Sequence, residues 1–190
     1  ETDRAETLDV SSRVTLATRE RPEGFDEQDV GAILAALADA VHTLDPALRG
    51  QVEGVGVTGQ MHGVVLWTAT GDTTDLITWQ DQRCLRNGFL VELQERTGDR
   101  SLRSGYGTAT LAWLARHEPD SLKRYTCCGT IQDYVVARLC GLPHPLTDPT
   151  DAASWGMFDV ERMAWDRERI AEAGIPLSLL PEIAPSGTRA

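Results

Sequence analysis

Between Asp26 and Pro46 the apolar residues Val30, Ile33, Leu34, Leu37, Val41 and Leu44 recur three and four positions apart, and short β-branched runs stand on either side. A helical period bordered by strand-like runs constrains the fold strongly, because the apolar stripe has to lie on a sheet to be buried. The spacing predicts a helix with Asp26 as N-cap that ends before Pro46. Val10 to Thr18 reads as an outer strand, Val52 to Val57 as a second one interrupted by Gly54 and Gly56, and Val64 to Trp67 as a third. With Gly71-Asp72 as a turn and Leu76-Ile77 beyond it, the region from Val52 reads as a β-meander.

The second half is helical in outline. Leu85, Phe89, Leu90 and Leu93 share one face of a helix stopped by Gly98, and Thr108 to His117 forms another, followed by a short turn opened by Pro119. Ile131 to Leu139 is a helix ended by Gly141 and Pro143; Asp148-Pro149 is an N-cap and first-turn pair, and a last helix spans about Asp166 to Ala173. Strands early and helices late define an α/β class with a mixed or partly antiparallel sheet. Neither GxxxxGK[ST] nor GxGxxG occurs, so the chain holds no complete nucleotide motif.

The 190 residues suit one domain, large enough to fold without disulfide or metal staples. A formal net charge of −11 argues against nucleic acid as a partner, since phosphates would be repelled over most of the surface. Cys84, Cys127, Cys128 and Cys140 include no CxxC pair, and no apolar signal segment opens the chain. Reduced thiols and a cytoplasmic location are therefore expected. Zinc on Cys127, Cys128, Cys140 and His144 is a weaker reading, because vicinal cysteines seldom share one tetrahedral ion. No apolar run approaches the length that spans a bilayer, so no membrane association is expected. Glu1 at one end and the Pro- and Gly-punctuated tail at the other suggest a fragment or trimmed domain.

Two runs carry chemistry. Gly59-Gln60-Met61-His62-Gly63 follows the second predicted strand, and Thr78-Trp79-Gln80-Asp81-Gln82-Arg83 lies a short way downstream. Glycines on both sides of an amide, a thioether and an imidazole let the backbone approach a small ligand closely. An indole can cover the carbon face of a polyhydroxylated molecule while amide, carboxylate and guanidinium groups bond its edge. Gln60, Met61, His62, Trp79, Asp81 and Arg83 together thus outline a sugar pocket. Each also has a plainer reading: His62 as a locally bonded strand-end imidazole, Trp79 as core, Asp81 as a cap of the following helix, Arg83 as a partner of Asp81 or a surface residue. Tyr106, between Gly105 and Gly107, reaches the same cleft or simply makes a turn.

The runs Gly54 to Gly63 and Leu76 to Cys84 resemble the N-terminal domain of the FGGY carbohydrate kinases. Gly129 to Ala137, Leu139 to Pro143 and Asp151 to Gly156 are similar to the branch of that family that phosphorylates sedoheptulose, whereas the Gln-Met-His triplet is shared with the pentulose branch typified by xylulose. The resemblance extends from about Asp29 to Ile183. It implies an actin-like, ribonuclease-H-like fold, a mixed sheet with flanking helices, in an enzyme of two domains whose cleft holds ATP, Mg2+ and a ketose. Residues 1–190 would be its sugar-binding N-terminal domain, without the phosphate-loop strand that opens family members and without the C-terminal ATP-binding domain. The implied reaction is phosphorylation of the terminal hydroxyl of sedoheptulose to give sedoheptulose 7-phosphate, with a pentulose such as xylulose as the alternative. The general-base aspartate of the family lies beyond the C-terminal end, so the resemblance implies no catalytic residue and no metal ligand here, and a fragment inactive alone. The implied partners are the ketose and the missing C-terminal domain. A non-catalytic sugar-binding domain is the remaining alternative.

Overall fold

The computed structural model describes residues 6–190. Its elements in chain order are β1 (Glu27–Gln28), α1 (Val30–Thr43), α2 (Pro46–Arg49), β2 (Val65–Trp67), β3 (Leu76–Ile77), α3 (Phe89–Thr97), α4 (Gly107–His117) and α5 (Pro119–Arg124). These are followed by β4 (Cys127–Gly129), α6 (Ile131–Cys140), β5 (Leu146–Thr147), α7 (Pro149–Ser154), β6 (Phe158–Asp159), β7 (Ala164–Trp165), α8 (Arg167–Glu172) and β8 (Glu182–Ile183).

An antiparallel ribbon runs through the centre. β1 pairs with β3, Ile77 bridges to Val64, and β2 pairs with β4 in the register Val65–Gly129, Leu66–Cys128, Trp67–Cys127. β5 and β8 pair in parallel and β6 with β7 antiparallel, which makes the strand set mixed. Successive side chains of a strand point to opposite faces. Val64, Leu66, Ile77 and Cys128 accordingly join Phe89, Leu93, Leu111 and Trp113 on one side, while Val65, Trp67, Leu76 and Cys127 meet Val30, Ile131 and Tyr134 on the other. β2 is therefore buried on both faces, which is why its sequence is an unbroken apolar run. Each such side chain contributes about 1.5–3 kcal/mol by leaving water.

Several boundaries differ from the sequence reading, each for a physical reason. The first helix starts three residues later than expected: Glu27 and Gln28 are held extended against β3, so Asp29 is the N-cap and accepts from the Ala32 amide at 3.1 Å. Asp26 instead accepts from the Thr78 hydroxyl. Val10 to Thr18 forms no strand beyond one bridge, Thr18 to Gln28, and Val10 and Val14 are 77% and 86% exposed. Val52 to Val57 is likewise extended but unpaired, with Val55 75% exposed, so the meander lacks its first strand. β-branched composition favours a strand only where a neighbour supplies hydrogen bonds; among the described residues Val10–Thr18 has such a neighbour only at its Ala17–Thr18 end, and Val52–Val57 pairs with no strand. The stripe of α1 is covered at Val30, Ile33 and Leu34, while Leu37 and Val41 remain exposed. Leu85 lies outside α3, because Asn87 and Gly88 take left-handed backbone angles and break the helix before Phe89. The stretch after Pro119 is a full helical turn and more, α5, with proline in its first turn.

Candidate functional site

The Gly59–Gly63 run forms the turn that enters the central ribbon just ahead of β2. Its end is a tight backbone approach: a Cβ on Gly63 would lie 2.9 Å from the Ile77 carbonyl oxygen, and the Gly63 amide bonds back to the Met61 carbonyl at 2.9 Å. His62 sits in the left-handed region with φ +70°, which strains a residue with a side chain by about 1–2 kcal/mol. The tertiary structure holds it there. Its Nδ1 donates to the Ser154 carbonyl oxygen at 2.5 Å, and its ring stacks on Tyr106 with centroids 5.0 Å apart and planes 1° from parallel. Gln60 donates through Nε2 to the Gln28 side-chain oxygen at 3.1 Å, and Met61 is exposed.

Trp79 joins the same neighbourhood through its backbone. Gly105, at φ +84°, passes so close to it that a Cβ there would lie 2.0 Å from the Trp79 carbonyl oxygen. The next residue is Tyr106, which stacks on His62, and after it Gly107 starts α4 directly against the Trp155 ring, where a Cβ would be 2.1 Å from Cδ2. Thr108 fastens that junction by donating its amide at 3.1 Å and its hydroxyl at 2.7 Å to the Trp155 carbonyl. His62, Tyr106 and Trp79 thus meet at one junction, with Trp79 53% exposed, while Gln60 turns its amide to Gln28.

Asp81 and Arg83 belong elsewhere. Asp81 is 1% and Arg83 2% exposed. Arg83 donates from Nε to Asp81 Oδ1 at 2.9 Å, and from Nη2 to Asp81 Oδ2 at 3.0 Å and to Glu27 Oε1 at 2.6 Å. Its guanidinium carbon also lies 4.7 Å from the Phe25 ring centroid and 5.3 Å from that of Trp113. Asp81 further accepts the amides of Asp26 and Arg83, each at 2.9 Å. Burial disfavours the Arg83 charge, but its bonds to Asp81 and Glu27 outweigh that and hold its pKa above the ordinary value. Burial likewise pushes Glu27 up, and Arg21 with Arg83 outweighs it, leaving Glu27 below the usual carboxylate range. The pair-with-Asp81 reading of Arg83 is the one the geometry matches; both carboxylate oxygens are engaged within the protein.

Asp148 caps α7, accepting the Thr150 amide at 2.8 Å. Asp151 turns inward rather than forward: it accepts the Thr130 hydroxyl at 2.9 Å and ties α7 to the start of α6. Burial raises its pKa. Asp133, which shares a capping box with Thr130, is pushed up to about 7 by burial and then by the Asp151 charge. Cys84 is buried and raised to about 12, Cys128 is buried and raised, and Cys140 is exposed. Among the described residues no group of three or more His, Cys, Asp or Glu side chains could hold a metal ion, the Cys127, Cys128, Cys140 and His144 set included. A cavity of about 220 Å3 lies apart from the His62 face, lined by Gln132, Asp133, Thr147 and Asp148 among others.

The contacts that sequence reasoning missed are the Ser154 carbonyl and the Gln28 amide. A backbone oxygen leaves no trace in residue type, so no pattern points to it. Tyr106 was signalled by its two flanking glycines, although the stack on His62 was not.

A central antiparallel ribbon with helices packed on both of its faces defines an α/β domain. The chain belongs to the FGGY family of carbohydrate kinases: the pattern describing the N-terminal domain of that family matches residues 3–190. It is 44% identical over 184 residues to the human sedoheptulokinase, covering 88% of this chain and 38% of that protein. With the sedoheptulokinase of Mus musculus it shares 40% identity over 185 residues, 89% of this chain and 38% of the relative. The structure of a xyloylose kinase from Brucella ovis superposes with a TM-score of 0.75 at 26% identity, covering 88% of this chain and 36% of that one. The fold is accordingly the actin-like one of the FGGY sugar kinases, and the chain spans about 38% of the length of those two sedoheptulokinases. No helix of the described residues is long and apolar enough to cross a membrane.

Proposed function

We propose that this chain is the ketose-holding domain of an ATP-dependent sugar kinase that converts sedoheptulose to sedoheptulose 7-phosphate. The observation that carries the reading is the His62–Tyr106 stack beside the Trp79 turn, in a chain 40–44% identical to two sedoheptulokinases. Trp79 offers its indole face to the carbon side of the sugar, Met61 shapes the floor, and Gln60 and His62 bond hydroxyls that can both give and take a proton. Asp81 and Arg83 act one layer back, holding the Trp79 turn in place rather than touching the sugar. Orientation of this kind lowers a barrier by as much as roughly 7–11 kcal/mol when both reactants are fixed.

The nucleotide does not fit the residues present. The chain has no glycine-rich phosphate loop, Arg83 is already engaged by Asp81 and Glu27, and no described cluster suits Mg2+. ATP and Mg2+ are assigned to the other domain of the enzyme, the aspartate that takes the proton of the terminal hydroxyl to the stretch beyond Ala190, and the opening phosphate loop to a strand that would lie against the largely unpaired Val10–Thr18 and Val52–Val57 segments. Their exposed valines support that placement. Unpaired cysteines fit a reducing, cytoplasmic setting. The test is phosphotransfer from ATP to a panel of ketoses by the complete protein. A higher kcat/KM for sedoheptulose than for xylulose is expected; the reverse order moves the enzyme to the pentulose branch, and no transfer to any ketose overturns the kinase reading.

A further inference from the structure

We propose that the Ser154 carbonyl and the Tyr106 ring hold His62 as its Nδ1–H tautomer, so that Nε2 stands in the sugar face as an acceptor for one ketose hydroxyl. The inference deepens the sugar-binding reading above and rests on it for the identity of the ligand. Its basis is chemical. A carbonyl oxygen has no proton to give, so the 2.5 Å contact between it and His62 Nδ1 requires the proton on Nδ1. In the neutral ring the other nitrogen is then a lone pair, and the group it reads must be a donor. Tyr106 disfavours the alternative: its ring stacks on the imidazole with centroids 5.0 Å apart and planes 1° from parallel, and turning the imidazole over to exchange its nitrogens has to break that stack on the way.

One short turn controls both supports. Ser154 ends α7, and its side chain is occupied by a 2.6 Å bond to the Asp151 carbonyl, so what it presents to His62 is the backbone oxygen. Trp155, 1% exposed, lies under Gly107 at the start of α4, one residue from Tyr106, and its carbonyl takes two bonds from Thr108. The Ala152–Gly156 run therefore acts on the sugar at one remove, through the imidazole and the phenol ring it fixes. Ser154 and Tyr106 are positioning residues in this proposal.

The tautomer is read directly by long-range 1H–15N correlation of the imidazole nitrogens. His42 and His117 also place Nδ1 on backbone carbonyls, at 2.7 and 3.0 Å, so the His62 signals are assigned by their loss in His62→Asn. The Nδ1–H pattern is expected for His62, retained in Tyr106→Phe and replaced by a mixture with Nε2–H in Tyr106→Leu. An Nε2–H pattern in the unmodified chain, or an unchanged pattern in Tyr106→Leu, overturns the proposal. In the complete protein Tyr106→Leu should lower kcat/KM for sedoheptulose at least fivefold, chiefly through KM; a loss under twofold overturns the role of the ring. Failure of the unmodified protein to phosphorylate any ketose refutes the kinase reading instead, and leaves the tautomer result as a separate finding.

Discussion

Replacing Arg83 with methionine separates a structural from a sugar-binding role for the Asp81–Arg83 pair. Methionine fills similar volume and keeps contact with Phe25 and Trp113, so the change is mainly electrostatic. It removes the two bonds to Asp81 and the one to Glu27, leaving the Asp81 carboxylate, 1% exposed, with only backbone amides for partners. Stranding a buried charge in this way costs about 3–5 kcal/mol. Arg83→Lys keeps the charge but lacks the planar fork that serves both Asp81 oxygens and Glu27 together, so roughly 1–2 kcal/mol is expected. Urea unfolding followed by tryptophan fluorescence measures both, and because the pair is shielded from solvent the losses should change little with added salt. A loss under about 1 kcal/mol for Arg83→Met would match an ordinary surface pair and refute the reasoning. Unaltered stability with a tenfold higher KM for the ketose in the complete enzyme would return Arg83 to the sugar.

Two further perturbations probe the same architecture. Asp133 has a folded-state pKa of about 7, above its ordinary 3.8, so its protonated form stabilises the fold at low pH and that contribution is lost as pH rises through 7. Between pH 5 and 8 the unmodified chain should lose roughly 2–3 kcal/mol more than Asp133→Asn in urea unfolding, and parallel pH profiles would show that the buried carboxyl does not titrate there. Gly105→Ala places a methyl 2.0 Å from the Trp79 carbonyl oxygen on backbone at φ +84°, which should destabilise by at least about 2 kcal/mol and raise the KM for the ketose by displacing Tyr106; a neutral substitution on both counts would mean that the two turns do not press together.

Much of the framework was legible in residue order because local chemistry decides it. The α1 stripe, the twice-buried β2 run, the Asp148-Pro149 start of α7 and the Gly98 and Gly141 stops all follow from period, capping and left-handed backbone, which depend on near neighbours alone. The two failed strands had the right composition, but a strand is completed by another strand, and among the described residues Val10–Thr18 meets β1 only at one bridge while Val52–Val57 meets no strand. Pairing was equally decisive at Asp26, where Glu27 and Gln28 are held extended in β1 and the N-cap therefore falls at Asp29.

The site divides along the same line. Sequence alone picked out Gln60, Met61, His62, Trp79, Asp81 and Arg83 as groups able to hold a polyhydroxylated ligand, since residue type limits what a side chain can donate, accept or cover. Only the tertiary structure decided that Asp81 and Arg83 face inward to each other and Glu27, and that the Ser154 oxygen and the Tyr106 ring meet His62. The reason is physical. Which way a polar side chain points depends on the register of the strand or turn that carries it, and the partner of a backbone atom can lie 92 residues away, as Ser154 does from His62.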